Sequence, residues 1–250
     1  LSIVTQIPIP STETQSEENV IPSYSINGEK TKLAAEDVFI SVNDPEDSYL
    51  FITVTDISDY KAPVGKLAVL GCGKEVYCAS QTIAVARGFV SVDTDKKGEH
   101  SSLTEIYRFN INGSSIAFSG SYIVKGSLTG GVNVDEKSGY LRAVTTEKDS
   151  GNLYVLDEKM EFVSGLAGIL PGKKIKSIKF IGENAYFVAG GDSEKTVIID
   201  ISDPSKPVAA GSISTEGFSH ELYMEENGNM TFSVCGYMNR GIHEGEVGIA

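Results

Sequence analysis

Positive charge is scarce in this sequence. Its 250 residues carry 21 Lys and Arg against 34 Asp and Glu, a formal net charge of −13. Nucleic-acid affinity rests on lysines and arginines that neutralise phosphates, so a surface of this sign repels DNA and RNA over most of its area. Long apolar runs are missing as well. No stretch of 18 apolar residues is present to span a bilayer, and the N-terminus lacks the basic-then-apolar layout of a signal peptide. The first residue is Leu1 rather than Met, from which we expect an upstream segment to have been removed. Cysteine is sparse too: Cys72, Cys78 and Cys235 are too few for a disulfide scaffold, and their odd number leaves at least one free or paired between molecules. The glycines of GCGKEVYC leave a Cys72–Cys78 closure open, but the expected role of all three is that of small buried hydrophobes.

Catalytic and ligand motifs are equally thin. The three histidines, His100, His220 and His243, are too scattered to suggest a zinc site, and no metal is expected. DTDKKGEH, Asp93 to His100, imitates the start of a calcium loop, but Lys97 takes the third acidic place and no Glu stands at the twelfth. GILPGKK, Gly168 to Lys174, has one residue too few between its glycines for a phosphate loop and Lys174 where Ser or Thr must hold magnesium. No G-x-S-x-G elbow occurs, so covalent hydrolase chemistry is disfavoured and no cofactor is called for.

What the chain does contain is a repeat. ITVTDISDYKAPVGKLAV, Ile52 to Val69, is echoed by VIIDISDPSKPVAAGSI, Val197 to Ile213, with the leading aspartates Asp56 and Asp200 separated by 144 positions. Two weaker copies lie between, EIYRFNINGSSIAFSGSYIVKG with a turn placed at Asn110 and NLYVLDEKMEFVSGLAGILPG with a turn at Asp157. Four copies make a period of about 48, and strand pairs with Ser-Gly, Gly-Glu-Asn or Asn-Gly turns precede the later ones. With 26 glycines, many Val, Ile and Thr and no helical stripe, the unit reads as four antiparallel strands, the signature of propeller blades. The DISD stretches read as turns between the two outer strands, capped by their own Asp and Ser and closed by proline. At least one of Ile198, Ile199 and Ile201, which run into the second turn, should be core.

SGYLRAVTT, the Asn152–Gly191 stretch and the two DISD copies resemble the bacterial secreted proteins with a C-terminal β-propeller domain distantly related to WD-repeats. The resemblance runs from about Ser48 to Gly236. It implies a single all-β propeller domain over residues 1–250, exported and held outside the cell by an upstream anchor, and it brings no catalytic residues with it. The segment from Pro10 to Val38 reads as a variable loop insertion. Counting turns gives about five blades, three whole between Glu75 and Gly217 and two partial. Leu1 to Ile9 reads as a strand with no inner partner before it, and Glu246 to Ala250 as a strand broken off before its neighbour. From this we expect a fragment of a larger propeller whose strand edges can self-associate, rather than a closed five-bladed ring.

In a propeller the connections from outer to next inner strand gather at one mouth. Here these are Gly71 to Lys74, Lys125 to Gly130, Pro171 to Lys174 and Glu216 to His220. Lys74, Lys174, Phe218 and His220 offer cations, an aromatic platform and a titratable group there, so they are the candidate binding residues. The leading reading is a non-catalytic extracellular module that binds a protein or glycan. Two others stay open: a polysaccharide-acting hydrolase or lyase, with Glu75, Asp135 and Glu221 as carboxylate candidates on inner strands, and a rigid spacer or gate for a partner domain.

Overall fold

A computed structural model describes residues 2–8, 21–26, 28–40, 48–59, 64–71, 75–79, 81–93, 99–129, 133–189, 194–215, 218–224 and 230–235. Among them the only helical element is a single 3-10 turn at Ala35–Asp37; the rest of the regular structure is strand. The strands are β1 (Ser2–Pro8), β2 (Ser23–Ile26), β3 (Glu29–Lys32), β4 (Val38–Ile40), β5 (Ser48–Val54), β6 (Gly65–Leu70), β7 (Glu75–Cys78), β8 (Thr82–Asp93), β9 (Glu99–Asn112) and β10 (Ser115–Lys125). They continue as β11 (Val134–Lys137), β12 (Tyr140–Thr146), β13 (Gly151–Leu156), β14 (Phe162–Ile169), β15 (Ile175–Ile181), β16 (Asn184–Ala189), β17 (Glu194–Asp200), β18 (Val208–Thr215), β19 (Phe218–Met224) and β20 (Met230–Cys235).

Three four-stranded sheets follow one another between Glu75 and Thr215, ordered β10-β9-β8-β7, β11-β12-β13-β14 and β15-β16-β17-β18. They coincide with the three whole blades that the repeat predicts. A fourth sheet, β1-β5-β6-β4, is mixed: β1, β5 and β6 are antiparallel neighbours, and β4 runs parallel to β6. The expectation that Leu1 to Ile9 has no inner strand partner is thereby resolved. β1 is itself the terminal strand of this sheet and pairs from Ser2↔Val54 to Pro8↔Ser48. Glu246 to Ala250 lie outside the described residues. Two short hairpins, β2-β3 and β19-β20, complete the list.

The chain divides into two compact units, Leu1–Ser91 with Thr104–Ile123, and Val92–Leu103 with Val124–Ala250. In the first, Leu50, Ile52, Val54, Leu67, Val69, Ile83, Val85, Tyr107 and Phe109 form one core, as alternation on β5, β6, β8 and β9 requires. A second cluster of this unit buries Leu33 with Tyr49, Phe51 and Ala68, and Ile21, Tyr24 and Val38 pack against them. In the second unit, Val144, Leu153, Val155, Ile175, Ile178, Phe187, Ile199 and Ile201 are among the buried core residues. Ile199 and Ile201 thus take the core positions expected of that run, while Ile198 packs partly buried beside Tyr186 and Val188.

The turns show how the repeat is written. Asp56 Oδ1 accepts from the Ser58 backbone N–H at 2.8 Å and from its hydroxyl at 2.6 Å. In the twin, Asp200 Oδ1 accepts from the Ser202 N–H at 2.8 Å, and Asp203 Oδ1 from the Ser205 N–H at 2.9 Å and hydroxyl at 2.6 Å. Asp157 caps the third copy by accepting from the N–H groups of Lys159 and Glu161. The remaining copy differs from expectation. Its turn lies at Gly113-Ser114, with Gly113 at φ 60°, whereas Asn110 sits inside β9 and its amide donates to the Ser119 hydroxyl. A glycine that tolerates the left-handed region outweighs an asparagine three residues earlier. Cys78 also departs from the buried role assigned to it, being an exposed free thiol on the four-residue strand β7. Cys72 lies outside the described residues, as does the side chain of Cys235.

Candidate functional site

The antiparallel meander puts two sets of loops at opposite ends of the β11–β18 strands. At one end are the turns β11–β12, β13–β14, β15–β16 and β17–β18; at the other are the β12–β13 loop and the β14–β15 connection. A cleft opens at each end.

The first cleft, of about 260 Å³, is lined by Lys137, Ser138, Tyr140, Arg142, Val155, Glu183, Ile201, Ser202 and Pro204. Ser138 and Gly139 carry φ of 53° and 89°, the two left-handed positions of a tight hairpin, and this brings Tyr140 and Arg142 to the start of β12. Arg142 is nearly fully buried, its guanidinium forming an ion pair with Asp135 on the paired strand. It also donates to the Gly182 carbonyl of the neighbouring sheet at 2.8 Å and lies over the Phe180 ring at 5.0 Å. Lys137 and Glu183 make a looser, exposed pair at 3.7 Å, and the Ser164 hydroxyl donates to the Pro204 carbonyl. The cations of this cleft are engaged within the protein and hold one sheet to the next. Asp135, a carboxylate candidate for hydrolysis, is held in the ion pair with Arg142.

The second cleft, of about 440 Å³, is lined by Thr129, Thr146, Lys148, Lys174, Ile175 and Lys176. All three lysines are exposed, Ile175 is buried, and the lining contains neither a carboxylate nor an aromatic ring. Its walls are pinned. Ser127 and Thr146 exchange two backbone hydrogen bonds of 2.8 Å, and the Lys125 carbonyl accepts from the Thr145 and Tyr154 hydroxyls. Gly126, at φ 98°, is required between them, because a Cβ there would stand 2.5 Å from Thr145 Oγ1 and 2.7 Å from the Thr146 carbonyl. Lys148 sits at φ 53° in the β12–β13 loop, closed by Glu147 N–H to Ser150 O at 3.0 Å. That loop is tied to the β14–β15 connection by the Lys173 N–H, which donates to the Asp149 carbonyl at 3.1 Å. Three ammonium groups are thereby gathered on a chain whose net charge is −13.

Of the candidate binding residues, only Lys174 is brought to a cleft in the described structure. Lys74 lies outside the described residues; Phe218 and His220 belong to β19, with side chains outside the description. Among the carboxylate candidates, Glu75 begins β7 and Glu221 lies on β19. Sequence reasoning missed Lys148 and Lys176. The signal was available: in an up-and-down meander the β12–β13 loop returns to the same end as the β14–β15 connection, so TEKDSGN and PGKKIK must meet. Among the described residues no group of three His, Cys, Asp or Glu is placed to hold a metal ion, and no helix is long and apolar enough to cross a membrane.

Successive four-stranded antiparallel sheets, each joined to the next by a short connection with loop clefts at the strand ends, define a β-propeller architecture. The chain belongs to the Beta propeller domain family, whose profile matches residues 3–229. An uncharacterized protein of Methanocaldococcus jannaschii is 32% identical over 116 residues, which are 44% of this chain and 18% of that protein. An uncharacterized protein of Archaeoglobus fulgidus is 32% identical over 136 residues, 54% of this chain and 22% of that one. The matches thus span about a fifth of either relative's length, and both relatives are archaeal, whereas the resemblance in the sequence pointed to a bacterial group. A solved structure from Bacteroides fragilis, described as a candidate 6-phosphogluconolactonase, superposes with a TM-score of 0.40 at 12% identity, covering 93% of this chain and 87% of that one.

Proposed function

We propose that the chain is a non-catalytic binding module, acting outside the cell, that takes a protein or glycan ligand in the cleft of Lys148, Lys174 and Lys176. The observation that carries this reading is the second cleft itself: three exposed lysines line a ligand-sized, carboxylate-free cleft at the loop end. A glycosidase needs two carboxylates flanking one bond. Of the two clefts, the first has Glu183 alone in its lining and the second has no carboxylate, which favours binding over hydrolysis.

The test is a glycan and surface-protein array probed with the purified chain and with the triple variant Lys148→Gln, Lys174→Gln, Lys176→Gln. A ligand captured by the native chain and lost by the variant, with unchanged thermal unfolding, is the expected result. Native and variant profiles that coincide would remove the cleft from the account. Turnover of any arrayed polysaccharide would remove the non-catalytic reading.

A further inference from the structure

The hydrogen-bond polarity of the lysine cleft restricts its ligand further. The Asn133 side chain is held in one orientation: its Oδ1 accepts from the Thr129 backbone N–H at 3.1 Å, and its Nδ2 donates to the Thr129 carbonyl at 2.6 Å. The Thr129 hydroxyl lies 2.6 Å from the same Oδ1, which has no hydrogen to give, so the hydroxyl donates inward. The Thr146 hydroxyl donates to the Ser127 carbonyl at 3.4 Å, again toward protein. The Thr129 hydroxyl has spent its hydrogen and that of Thr146 is turned toward the Ser127 carbonyl, so both present acceptor lone pairs to a ligand. The lysines offer donors and positive charge alone.

A complementary ligand must therefore be anionic toward the lysines and carry its own donors toward the threonines. An ionised sulfate satisfies the first requirement and fails the second. A neutral sugar satisfies the second and gains nothing from the charge, and the lining has no aromatic ring on which its face could stack. An acidic peptide offers carboxylates and N–H donors, but recognition of acidic motifs ordinarily uses the bidentate fork of clustered arginines, and this lining holds lysines and no arginine. Carboxylates and hydroxyls on one polar framework meet all of these conditions. Resting on the reading of this cleft as the binding site, we infer that its ligand is a carboxylate-bearing glycan, a polymer or oligomer of sugar acids. On a chain of net charge −13 a polyanion is repelled at long range and held only by local contacts, so its affinity falls with salt.

The test is calorimetric titration of the full chain with a short oligogalacturonate, its fully methyl-esterified form and an oligoglutamate of similar charge. Oligogalacturonate is expected to bind with strong salt dependence, and methyl-esterification, which removes charge and keeps hydroxyls, to weaken it by about tenfold or more. The triple Lys→Gln variant should lose the oligogalacturonate to a similar degree. Thr146→Val should weaken oligogalacturonate binding, with thermal unfolding run alongside to show that the variant folds. Equal binding of the methyl ester, tighter binding of oligoglutamate, or no oligogalacturonate binding would overturn the inference. If the array still yields a ligand that the triple variant loses, the cleft stands as the site and only the sugar-acid assignment falls. If neither array nor titration shows a lysine-dependent ligand, both fall.

Discussion

Arg142 and Lys174 lie at opposite ends of the same strands, and their surroundings differ in kind. Arg142 is buried, paired with Asp135, bonded to the Gly182 carbonyl and laid over Phe180. Lys174 is exposed in a short connection and shares a cleft with Lys148, Lys176 and two threonine hydroxyls. The planar guanidinium suits a site where several fixed acceptors converge, whereas the ammonium is a strongly hydrated point charge on a flexible stem. One cleft is a joint between sheets, and the other is the one we propose as a place to bind. Cation count alone would not tell them apart.

Removing the joint should cost most. Arg142→Ala leaves Asp135 without its buried partner and should destabilise the chain by roughly 3–5 kcal/mol in chemical denaturation. Arg142→Lys should recover only part of this, since a single ammonium cannot span both acceptors. A loss within error of zero would show that the first cleft is not a joint. Next in size is the wall of the lysine cleft: Gly126→Ala puts a Cβ against Thr145 and Thr146 in a left-handed backbone and should cost roughly 1–3 kcal/mol. It should also weaken any lysine-dependent ligand, because the loop bearing Thr129 must shift.

A third, pH-linked effect concerns the turns. The Ser202 and Ser205 hydrogen bonds hold the Asp200 and Asp203 carboxyls below the ordinary aspartate range, and those of Ser58 do the same for Asp56. A folded-state pKa below the unfolded one gives stability that is present above about pH 4 and lost as pH falls through the folded value. The gap in unfolding temperature between the native chain and Asp200→Asn/Asp203→Asn should therefore shrink as pH drops from 6 toward 3. A gap independent of pH would mean that the carboxylate charge contributes nothing to these caps. Smallest of all, the triple Lys→Gln variant should unfold within about 0.5 kcal/mol of the native chain, as exposed surface substitutions do. A larger loss would make the lysines structural and erase the contrast with Arg142.

The blades were legible because their information is local. Asp-Ile-Ser-Asp caps its own backbone, Ser138-Gly139 and Gly182-Glu183 turn hairpins, and alternation sets which isoleucines face the core; Ile199 is 1% exposed and Ile201 2%. Asn110 misled because two turn formers compete within four residues, and the backbone chose Gly113. The parallel β4 on β6 was not legible, since it depends on chain that leaves the sheet after β1 and returns to it. Its effect can be seen by comparing the twins. β6 is covered and largely buried, while β18, with the same preceding turn, is mostly exposed, and Leu67 in the first corresponds to Gly211 in the second. Half of the site was hidden for a similar reason: Lys174 sits in a connection that the repeat exposes, but Lys148 becomes its neighbour only through the meander.

The most direct measurement is a map of backbone amide chemical shifts in the labelled chain as oligogalacturonate is added. The account predicts saturable shifts at Thr129, Thr146, Lys148, Lys174 and Lys176 that disappear in the triple Lys→Gln variant, with Tyr140, Arg142 and Ser202 unmoved. Shifts centred on Tyr140, Arg142 and Ser202, or none at either end, would contradict it.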